Sequence, residues 1–555
     1  MASIQLSAAS KQETGSTLSA HYYPPMLARI LPALAFFLVA LQPAHALERW
    51  IYCAQNLWVD KNLDTIEALL RRGSKAGYTH LLLYDSKFAK LGDMDARYFR
   101  NIERLKKLAA ELKVEIVPAV FPVGYSNDLL WHDPNLVEAL PVRDALFVVQ
   151  NGLAQLQPDS PFTLKGGDFG DLKKWDWKDE NVVTDNGAAR MRDLKGANAR
   201  IVQKLKLQPF RQYHLSVRVK SQDFRGKPEV KVLVGNQALD FNDLGVKPTQ
   251  DWTTHHMVFN SLSHTQANLY LGCWGGSTGS LWWDDATLEQ VGLVNLVRRD
   301  GTPLVVKTEA GTQLTEGKDF EKVTDPKMGT RVWKGSYDVW HEPPTLKTSL
   351  PDGMRLRISY YHAVTVHEDQ AMICPSEPRT VELLRDQARR VHAAWGAKGY
   401  MMSHDEIRVL NWCYACQRRG LDAGALLADN ARTCVNILRE INPGGRIYVW
   451  SDMFDPHHNA HKDYYLVRGD LAGSWEGLDK EVIVVPWNFG KRAQSLKFFA
   501  DRGHRQVIAG YYDAKPELVR DWLEAAKPFP GVIGVMYTTW EHKYGDLERF
   551  AELVE

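Results

Sequence analysis

The sequence has almost no excess charge of either sign, and this absence excludes two classes of partner. It contains 68 Lys and Arg residues against 67 Asp and Glu residues, so its 555 residues carry a formal net charge of +1. Binding to nucleic acid or to an anionic membrane surface requires a strong positive field. We therefore predict that nucleic acid is not a partner of this protein.

Long apolar runs are also missing, except for one near the N-terminus. Residues 27–46 read LARILPALAFFLVALQPAHA, and Ala44, His45 and Ala46 fit a small-residue cleavage site. This run is too short for a membrane span, and no later stretch is apolar enough for one. The pattern predicts an N-terminal extension and signal peptide over 1–46, a secreted or periplasmic mature protein, and no membrane span after signal removal.

Cysteine is scarce, with six residues in the whole chain. Cys413 and Cys416 have the CxxC spacing of metal and redox sites, but no second CxxC supplies the two further ligands that zinc requires. In an exported protein, these two residues form a local disulfide in one interpretation and remain free buried thiols in the other. We predict no metal site and no cofactor.

Two parts of the chain alternate short apolar strands with amphipathic helices, which is typical of a parallel sheet covered on both faces. The strands are predicted at 51–54, 79–84, 115–121, 400–403, 447–450, 482–487, 507–512 and 532–538. Eight such units predict an α/β fold, a (β/α)8 TIM barrel built from residues 47–157 and 363–555. An open doubly wound sheet is the alternative, but its Gly-rich phosphate-binding turn is missing.

Residues 158–362 interrupt this alternation with a pattern typical of antiparallel strands. Runs such as 213–220 and 253–259 alternate apolar and polar residues between Gly, Asp and Pro turns, which indicates a β-sandwich. Residues 279–289 resemble the closing strand of jelly-roll carbohydrate-binding modules. We expect an inserted jelly-roll domain over 158–290 and a small β unit over 291–362, placed between barrel strand 3 and its helix.

Carboxyl and aromatic side chains follow nearly every predicted barrel strand, at the end where TIM barrels carry their chemistry. The candidate site residues are Asp85, His404, Asp405, Glu406, Trp450, Asp452, Trp487, Asn488, Tyr511, Tyr512, Trp540 and Glu541. Flat rings and carboxyl groups together suit sugars, which have apolar faces and polar edges. An oligosaccharide or polysaccharide is therefore the predicted substrate.

Glycoside cleavage usually requires two carboxyl groups whose pKa values are pushed apart. We expect Glu406, in a partly dry Trp-lined pocket, to have the raised pKa, and Asp405 to be ionised. Other interpretations remain open: the two acids cap the next helix, and Trp450 and Trp487 belong to the barrel core. The histidines within 455–461 are expected to hydrogen-bond substrate from a solvated loop.

Several of these residues resemble glycoside hydrolase family 20, the β-N-acetylhexosaminidases. The resemblance is carried by Asp405-Glu406 at the end of strand 4 and by aromatic and acidic residues on later strand ends, namely Trp450, Asp452, Trp487, Tyr511, Tyr512 and Trp540. In that family the Glu is the acid/base, and the Asp orients the substrate's 2-acetamido group, whose oxygen is the internal nucleophile. A late Tyr binds that oxygen, and Trp residues wall the pocket.

The resemblance implies a role for each matching position. Glu406 becomes the general acid/base, Asp405 the acetamido-orienting carboxylate, and Tyr511 or Tyr512 the donor to the acetamido oxygen. The family has two glycines before the acids, whereas this chain has Ser403 and His404. We therefore expect His404 to crowd the substrate.

Three functions remain open from the sequence. The first is an exo-acting glycosidase on N-acetylhexosamine-containing glycans that works with substrate assistance. The second is a retaining glycosidase in which a separate carboxylate, Glu541 or Asp452, is the enzyme nucleophile. The third is a catalytically inactive protein that binds glycan.

Overall fold

Eight parallel strands close into a barrel in this computed structural model, which describes residues 47–159, 163–367 and 369–555. In chain order the strands are β1 (Glu48–Ala54), β2 (His80–Tyr84), β3 (Glu115–Val120), β4 (Gly399–Met402), β5 (Arg446–Trp450), β6 (Ile483–Val485), β7 (Gln506–Ala509) and β8 (Val532–Tyr537). Each strand pairs with the next in the chain, and β8 pairs with β1 to close the ring. The predicted barrel is confirmed.

Helices cover the outside of this ring. Those of eight residues or more in the described chain are α1 (Asp60–Lys75), α2 (Ala96–Leu112), α3 (Pro378–Trp395), α4 (Ala423–Ile441), α5 (Arg492–Asp501), α6 (Leu518–Ala526) and α7 (Leu547–Val554). In α1, Leu63, Ile66 and Leu70 recur at helical spacing and are buried. The α2 helix begins where the Asp95 side chain accepts hydrogen bonds from two backbone N–H groups.

Apart from the antiparallel sheets between β3 and α3, the connections of the described chain contain short elements. The brief helices are Asn127–Leu130 and Tyr414–Gln417, and the 3-10 segments are Ser86–Asp93, Pro134–Leu136, Leu172–Lys174, Asp452–Phe454, Ser474–Gly477 and Phe489–Lys491. Between β5 and β6 the described chain has 3-10 turns and the strand Leu466–Val467, which pairs with Val409–Leu410. The residues between β5 and β6 therefore lie over the C-terminal end of the barrel as loops.

Side chains from alternate strand positions fill the barrel interior. Trp50, Leu82, Val117, Met401 and Tyr448 belong to this inner cluster and are buried. This filling is expected of a TIM barrel, whose interior is a packed core and not a channel. A ligand is therefore confined to the C-terminal end of the strands.

Antiparallel sheets occupy the chain between β3 and α3. One five-stranded sheet contains Val183–Asp185, Ala188–Arg192, Gln212–Arg225, Gln250–Asn260 and Thr278–Val291. The other contains Trp177–Lys178, Ala199–Lys206, Pro228–Val234, Gln237–Asp243 and Gln266–Cys273. Apolar residues from both sheets, such as Val217, Val232 and Leu269, are buried. This arrangement agrees with the predicted β-rich unit.

A six-stranded sheet differs from the sequence-based boundaries. Its strands are Leu140–Gln150, Leu153–Leu156, Val305–Thr308, Gln313–Leu314, Leu346–Lys347 and Arg355–His362. The first two strands fall within residues 47–157, which are predicted to belong to the barrel. However, Leu140–Gln150 pairs with Arg355–His362. Pairing partners so distant in sequence cannot be recognised from local alternation of residues.

The five-stranded sheet that contains Gln237–Asp243 touches the barrel beside its open end. Gln237 donates through Nε2 to the Tyr465 carbonyl at 2.9 Å, and the His367 backbone N–H donates to the Phe241 carbonyl at 3.2 Å. The rings of Phe241 and His367 are 5.4 Å apart. The edge strand Gln237–Asp243 is therefore fixed next to the barrel mouth.

Two remaining expectations concern the membrane and the signal peptide. No helix in the described part of the chain has both the length and the apolar character to cross a bilayer. The predicted signal peptide and N-terminal extension over 1–46 lie outside the described residues.

Candidate functional site

A pocket of about 630 Å³ opens at the C-terminal ends of the barrel strands. Polar and aromatic residues make up most of its lining: Tyr52, Tyr84, Tyr125, His367, Asp369, Gln370, Ser403, Asp405, Glu406, Trp450, Trp487, Tyr512 and Trp540. The closed ring of strands brings these residues together from opposite ends of the sequence. The volume suits a small number of sugar rings.

Glu406 is held in the pocket through its backbone. Its φ angle is +48°, an uncommon conformation for a residue with a side chain. The Glu406 N–H donates to Asp452 Oδ2 at 2.8 Å, and its carbonyl accepts from Gln370 Nε2 at 2.9 Å. These hydrogen bonds fix the backbone position from which the Glu406 side chain extends.

Two donors converge on the Glu406 side chain. Arg408 Nη2 lies 2.8 Å from Oε1, and the Tyr125 hydroxyl donates to Oε2. Arg408 also contacts the Gln370 amide oxygen and lies with its guanidinium 5.1 Å from the Tyr465 ring centre. Donors therefore contact both oxygens of the Glu406 carboxylate and fix its orientation.

Asp405 has a contrasting environment. Burial, followed by the negative charges of Asp452 and Glu406, raises the pKa of Asp405 well above its usual range. Its backbone is packed against the loop after β3, because a Cβ atom on Gly124 would lie 1.7 Å from the Asp405 carbonyl oxygen. The surroundings of Asp405 therefore favour its protonated form.

Asp452 supports the pair from below. It is fully buried and accepts hydrogen bonds from the Glu406 N–H at 2.8 Å, from Asn459 Nδ2 at 2.9 Å and from Trp487 Nε1 at 3.4 Å. Burial raises the pKa of Asp452 to about 7, although these donors oppose the rise. Asp452 therefore positions Glu406 and Trp487 and does not line the pocket.

Aromatic rings form the pocket walls. Trp487 and Tyr512 are stacked with ring centres 5.4 Å apart and planes 11° from parallel. Trp540 packs on Tyr52 at 4.8 Å and on Trp450 at 5.7 Å. Burial, with smaller effects of nearby carboxylates, raises the pKa of Tyr512 to about 12, so its hydroxyl remains a donor.

Three of the candidate residues face away from the pocket. His404 is buried and contacts Asn430 of α4 at 3.0 Å, and burial lowers its pKa to about 4. It does not crowd the substrate, because the side chain after a strand end alternates in direction. Asp85 is buried as well, accepting from the Leu57 N–H at 2.8 Å and the Tyr98 hydroxyl at 2.7 Å. Tyr511 donates to Asp546 at 2.9 Å.

Two further candidates lie outside the pocket lining. Glu541 is exposed and paired with Lys543, and its backbone N–H donates to Asp513 at 3.2 Å. Asn488 donates to the His457 carbonyl at 3.4 Å in the neighbouring surface cleft. Neither reaches the Asp405–Glu406 pair. Glu541 is therefore badly placed for the nucleophile role that one interpretation gave it.

The most informative residues that sequence reasoning missed are Arg408 and Gln370. Arg408 stands two positions after Glu406 within the otherwise apolar run 407–410, and a lone Arg beside an acid is a detectable signal. Gln370 comes from the segment that returns from the inserted sheets, so nothing in its local sequence connects it to the pocket.

The histidine loop between β5 and β6 contributes through packing. The His458 ring meets Trp487 edge-on with centres 4.3 Å apart, and burial lowers the pKa of His458 to about 4. His457 and His461 lie beside it, and His461 contacts the Lys462 carbonyl. His458 therefore supports the Trp487 wall as a neutral ring.

Cys413 and Cys416 are buried and carry no disulfide in this structure. They lie beside Cys374 and Glu138, whose Sγ and carboxylate oxygen complete a group of ligand atoms within 4.8 Å of one another. Sequence spacing could not reveal this group, because two of its members come from distant segments.

No protein-family model and no curated protein matches this sequence. Among solved structures, the chain is similar to a glycoside hydrolase family 20 β-N-acetylglucosaminidase, with 8% identity over 92% of this chain and 69% of that chain, and a TM-score of 0.36. It is also similar to a rhamnosidase from Novosphingobium sp. PP1Y, with 11% identity over 92% of this chain, 58% of that chain and a TM-score of 0.33.

The inserted part has its own similarity. A structure described as "CBM4 structure and function" matches 23% of this chain and 86% of its own length, with 18% identity and a TM-score of 0.17. The similarity to the family 20 enzyme agrees with the distant resemblance seen in the sequence. Identities and TM-scores this low assign no activity, so the function is argued from the pocket.

Proposed function

We propose that this protein is an exported glycosidase that cleaves N-acetylhexosamine-containing glycans in the pocket around Asp405 and Glu406. One observation carries the proposal: two adjacent carboxyl groups in opposite electrostatic environments share a pocket with Trp and Tyr walls. Glycoside cleavage requires this combination of one protonated and one charged carboxyl group. The choice of sugar rests on the sequence resemblance, and export rests on the pattern of residues 27–46.

The contacts support exchanging the two roles that the sequence suggested. Arg408 and Tyr125 contact both oxygens of the Glu406 carboxylate, whereas burial beside other carboxylates raises the pKa of Asp405 well above its usual range. Asp405 is then the proton donor to the leaving oxygen. Glu406 is the carboxylate that stabilises positive charge at the anomeric carbon or orients the substrate's acetamido group.

Tyr512 is the better candidate for binding the acetamido oxygen. It lines the pocket beside Trp540, whereas the Tyr511 hydroxyl is occupied by Asp546. The inserted jelly-roll unit between β3 and its helix is proposed to bind the rest of the glycan. Contact between Phe241 and His367, which lines the pocket, supports this placement.

The role assignment is tested with two variants and two classes of aryl N-acetylglucosaminide. Asp405→Asn is expected to lose roughly a thousandfold in kcat on substrates with a poor leaving group, and little on dinitrophenyl glycosides, which need no proton. Glu406→Gln is expected to lose activity on both classes. The reverse pattern would assign the acid role to Glu406, as the family resemblance implies.

Substrate assistance has its own test. Aryl glucosides lack the acetamido group, so wild-type protein that uses this group as its nucleophile will cleave them far more slowly than N-acetylglucosaminides. Equal rates on both would make Glu406 the enzyme nucleophile.

The second candidate function is that of a glycan-binding protein without activity. The Glu406–Arg408 ion pair favours this function, because Arg408 occupies one of the two carboxylates. This candidate requires that wild-type protein binds immobilised glycan, releases no sugar from any aryl glycoside, and loses binding in Trp540→Ala.

A further inference from the structure

Four buried side chains with metal-binding atoms meet outside the pocket. Glu138 precedes the strand Leu140–Gln150, and Cys374 precedes α3. Cys413 precedes the short helix Tyr414–Gln417 between β4 and α4, and Cys416 lies within it. Their exposed fractions are 1% for Glu138 and 0% for each cysteine. Their ligand atoms all lie within 4.8 Å of one another. Three separate segments of the chain therefore converge on one closed point.

Four ligand-to-ligand distances in this cluster, 3.3–3.6 Å, are close to or slightly shorter than those around a tetrahedral zinc ion. Cys374 Sγ lies 3.4 Å from Cys413 Sγ and 3.6 Å from Cys416 Sγ. Glu138 Oε2 lies 3.3 Å from Cys413 Sγ and 3.4 Å from Cys416 Sγ. Zinc–sulfur and zinc–oxygen bonds of usual length separate tetrahedral ligands by about 3.5–3.8 Å. A disulfide would instead bring two sulfurs to about 2.0 Å.

Backbone groups hold the Glu138 carboxylate in a ligating orientation. Its Oε1 accepts hydrogen bonds from the Trp412 N–H at 2.7 Å and the Cys413 N–H at 2.9 Å. This leaves Oε2 turned towards the thiols. Zinc ligands are commonly oriented in this way by hydrogen bonds from outside the site.

Arg299 supplies positive charge next to the cluster. It interacts electrostatically with Cys374, Cys413 and Glu138, and it is anchored by Glu377 at 2.8 Å and by the Val137 carbonyl at 3.0 Å. Its Nη2 atom is buried and makes no hydrogen bond. Three thiolates and a carboxylate around Zn²⁺ keep a net negative charge, which this guanidinium partly balances.

We propose that Glu138, Cys374, Cys413 and Cys416 bind a structural Zn²⁺ ion. Four protein ligands in a fully buried site leave no open position for water or substrate, which is typical of structural zinc. Thiolate-rich tetrahedral sites favour zinc over the hard cations Mg²⁺ and Ca²⁺. The ion clamps both ends of the inserted sheets to the loop that follows Glu406 and Arg408.

Metal content of the purified full chain is the first test. Elemental analysis is expected to give about one zinc ion per chain. Protein loaded with Co²⁺ is expected to show thiolate-to-cobalt charge-transfer absorption and the visible bands of tetrahedral coordination. Both measurements use wild-type protein, so they hold even where a variant fails to fold.

Variants identify the ligands. Cys413→Ser/Cys416→Ser is expected to lose the zinc and the cobalt spectrum. Cys273→Ala is the matched control, because Cys273 is equally buried but lies in the sandwich core, and it is expected to keep both. Zinc retained by the double variant would overturn the proposal.

Two further results would overturn it. One is a disulfide among Cys374, Cys413 and Cys416, detected by mass spectrometry of alkylated, unreduced protein. The other is wild-type protein that remains metal-free after incubation with Zn²⁺ under reducing conditions. In that protein, alkylation on unfolding must show that the thiols of Cys374, Cys413 and Cys416 were all reduced. Neither result would bear on the glycosidase proposal, which is measured by turnover.

Discussion

At the level of single residues, three carboxyl groups share one end of the barrel, and their contacts make them unequal. Glu406 meets a guanidinium, burial and like charge dominate the surroundings of Asp405, and Asp452 is buried beneath backbone and indole donors. Three charges this close cannot all persist in a region partly closed to water. The protein therefore distributes protons among them, and pH is the natural probe.

Asp452→Asn is expected to change how stability depends on pH. The pKa of Asp452 is raised from 3.8 to about 7 on folding, so between these values the native state holds a proton that the unfolded state has lost. The free energy of unfolding contributed by this group therefore falls as pH rises through that window, by up to about 4 kcal/mol. The Asn side chain has no such proton.

Urea unfolding of both proteins from about pH 4 to pH 8 measures the effect. The variant should gain stability relative to wild type as pH increases and reach a constant difference above about pH 7. Asp251→Asn, at an exposed strand position, serves as control. Parallel curves for wild type and Asp452→Asn would contradict the raised pKa.

Trp450 and Trp540 touch each other but are expected to respond differently to truncation. Trp450 is 4% exposed and belongs to the inner barrel cluster, so Trp450→Ala should cost about 3–5 kcal/mol of unfolding free energy. Trp540 is 39% exposed at the mouth, so Trp540→Ala should cost about 1 kcal/mol.

Relative to the stability that each variant loses, Trp540→Ala should reduce activity more than Trp450→Ala. Trp540→Ala is expected to lower kcat/KM about tenfold through weaker contact with the sugar face. Denaturant unfolding and steady-state kinetics on the same preparations measure both quantities. A large loss of stability in Trp540→Ala with unchanged KM would make it a core residue.

The sequence predicts pocket residues well where the end of a strand sets the direction of the side chain. It fails where a distant hydrogen-bond partner sets that direction. Asp405 and Glu406 were found because they follow an apolar strand, and both line the pocket. Tyr511 and Tyr512 are adjacent, and their side chains point in opposite directions. Only the hydrogen bond from Tyr511 to Asp546 distinguishes the two. Such a partner is 35 residues away in the chain and leaves no local pattern.

At the level of elements, the loop after β3 supports the loop after β4. The Val123 N–H donates to the Ser403 carbonyl at 3.1 Å, and Gln370 Nε2 donates to the carbonyls of both Gly124 and Glu406. Gly124 is the point of closest approach. Asp405 and Glu406 are thus positioned by backbone that begins in a different strand.

Gly124→Ala is expected to lower activity about a hundredfold while the barrel remains folded. The added methyl group would lie 1.7 Å from the Asp405 carbonyl oxygen, so the loop of Asp405 and Glu406 must move. A displacement of about 1 Å in a catalytic group commonly costs a hundredfold in rate. Kinetics and circular dichroism test this.

Gly170→Ala is the matched control, because a Cβ there meets no atom within 4 Å. Its activity should equal that of wild type. Full activity in Gly124→Ala would show that the approach of the two loops does not position Asp405 and Glu406.

Element boundaries followed from periodicity in the barrel and in most of the insert. The strand predicted at 79–84 is found at His80–Tyr84, and the one predicted at 253–259 is found at Gln250–Asn260. The strand Leu140–Gln150 was missed, because its partner Arg355–His362 lies far along the chain and its own apolar run resembles barrel sequence.

At the level of the whole molecule, buried polar contacts join the sandwich to the six-stranded sheet. Asn260 is fully buried, and its Nδ2 donates to the Pro141 carbonyl at 3.0 Å and to His362 Nε2 at 2.9 Å. Its Oδ1 accepts from the Leu262 N–H at 2.8 Å. Burial lowers the pKa of His362 to about 4, so the ring is neutral and able to accept.

Asn260→Ala is expected to uncouple the two sheets. It leaves several buried polar groups without partners, at about 1–3 kcal/mol each. Calorimetry should show a lower melting temperature and a separate, earlier transition for the sandwich. Gln266→Ala, an exposed sandwich position, should match wild type. An unchanged melting profile in Asn260→Ala would mean that apolar packing alone joins the sheets.

The order of the barrel strands in the chain determines when neighbouring strands can pair during synthesis. β3 and β4 are neighbours in the ring, yet the ribosome must complete everything between Val120 and Gly399 before β4 emerges. At about 5–20 residues per second, this delay is on the order of tens of seconds. Meanwhile β3 presents an unpaired apolar edge, a template for aggregation. We therefore expect the nascent chain with three of the eight barrel strands to be the stage of synthesis most exposed to aggregation.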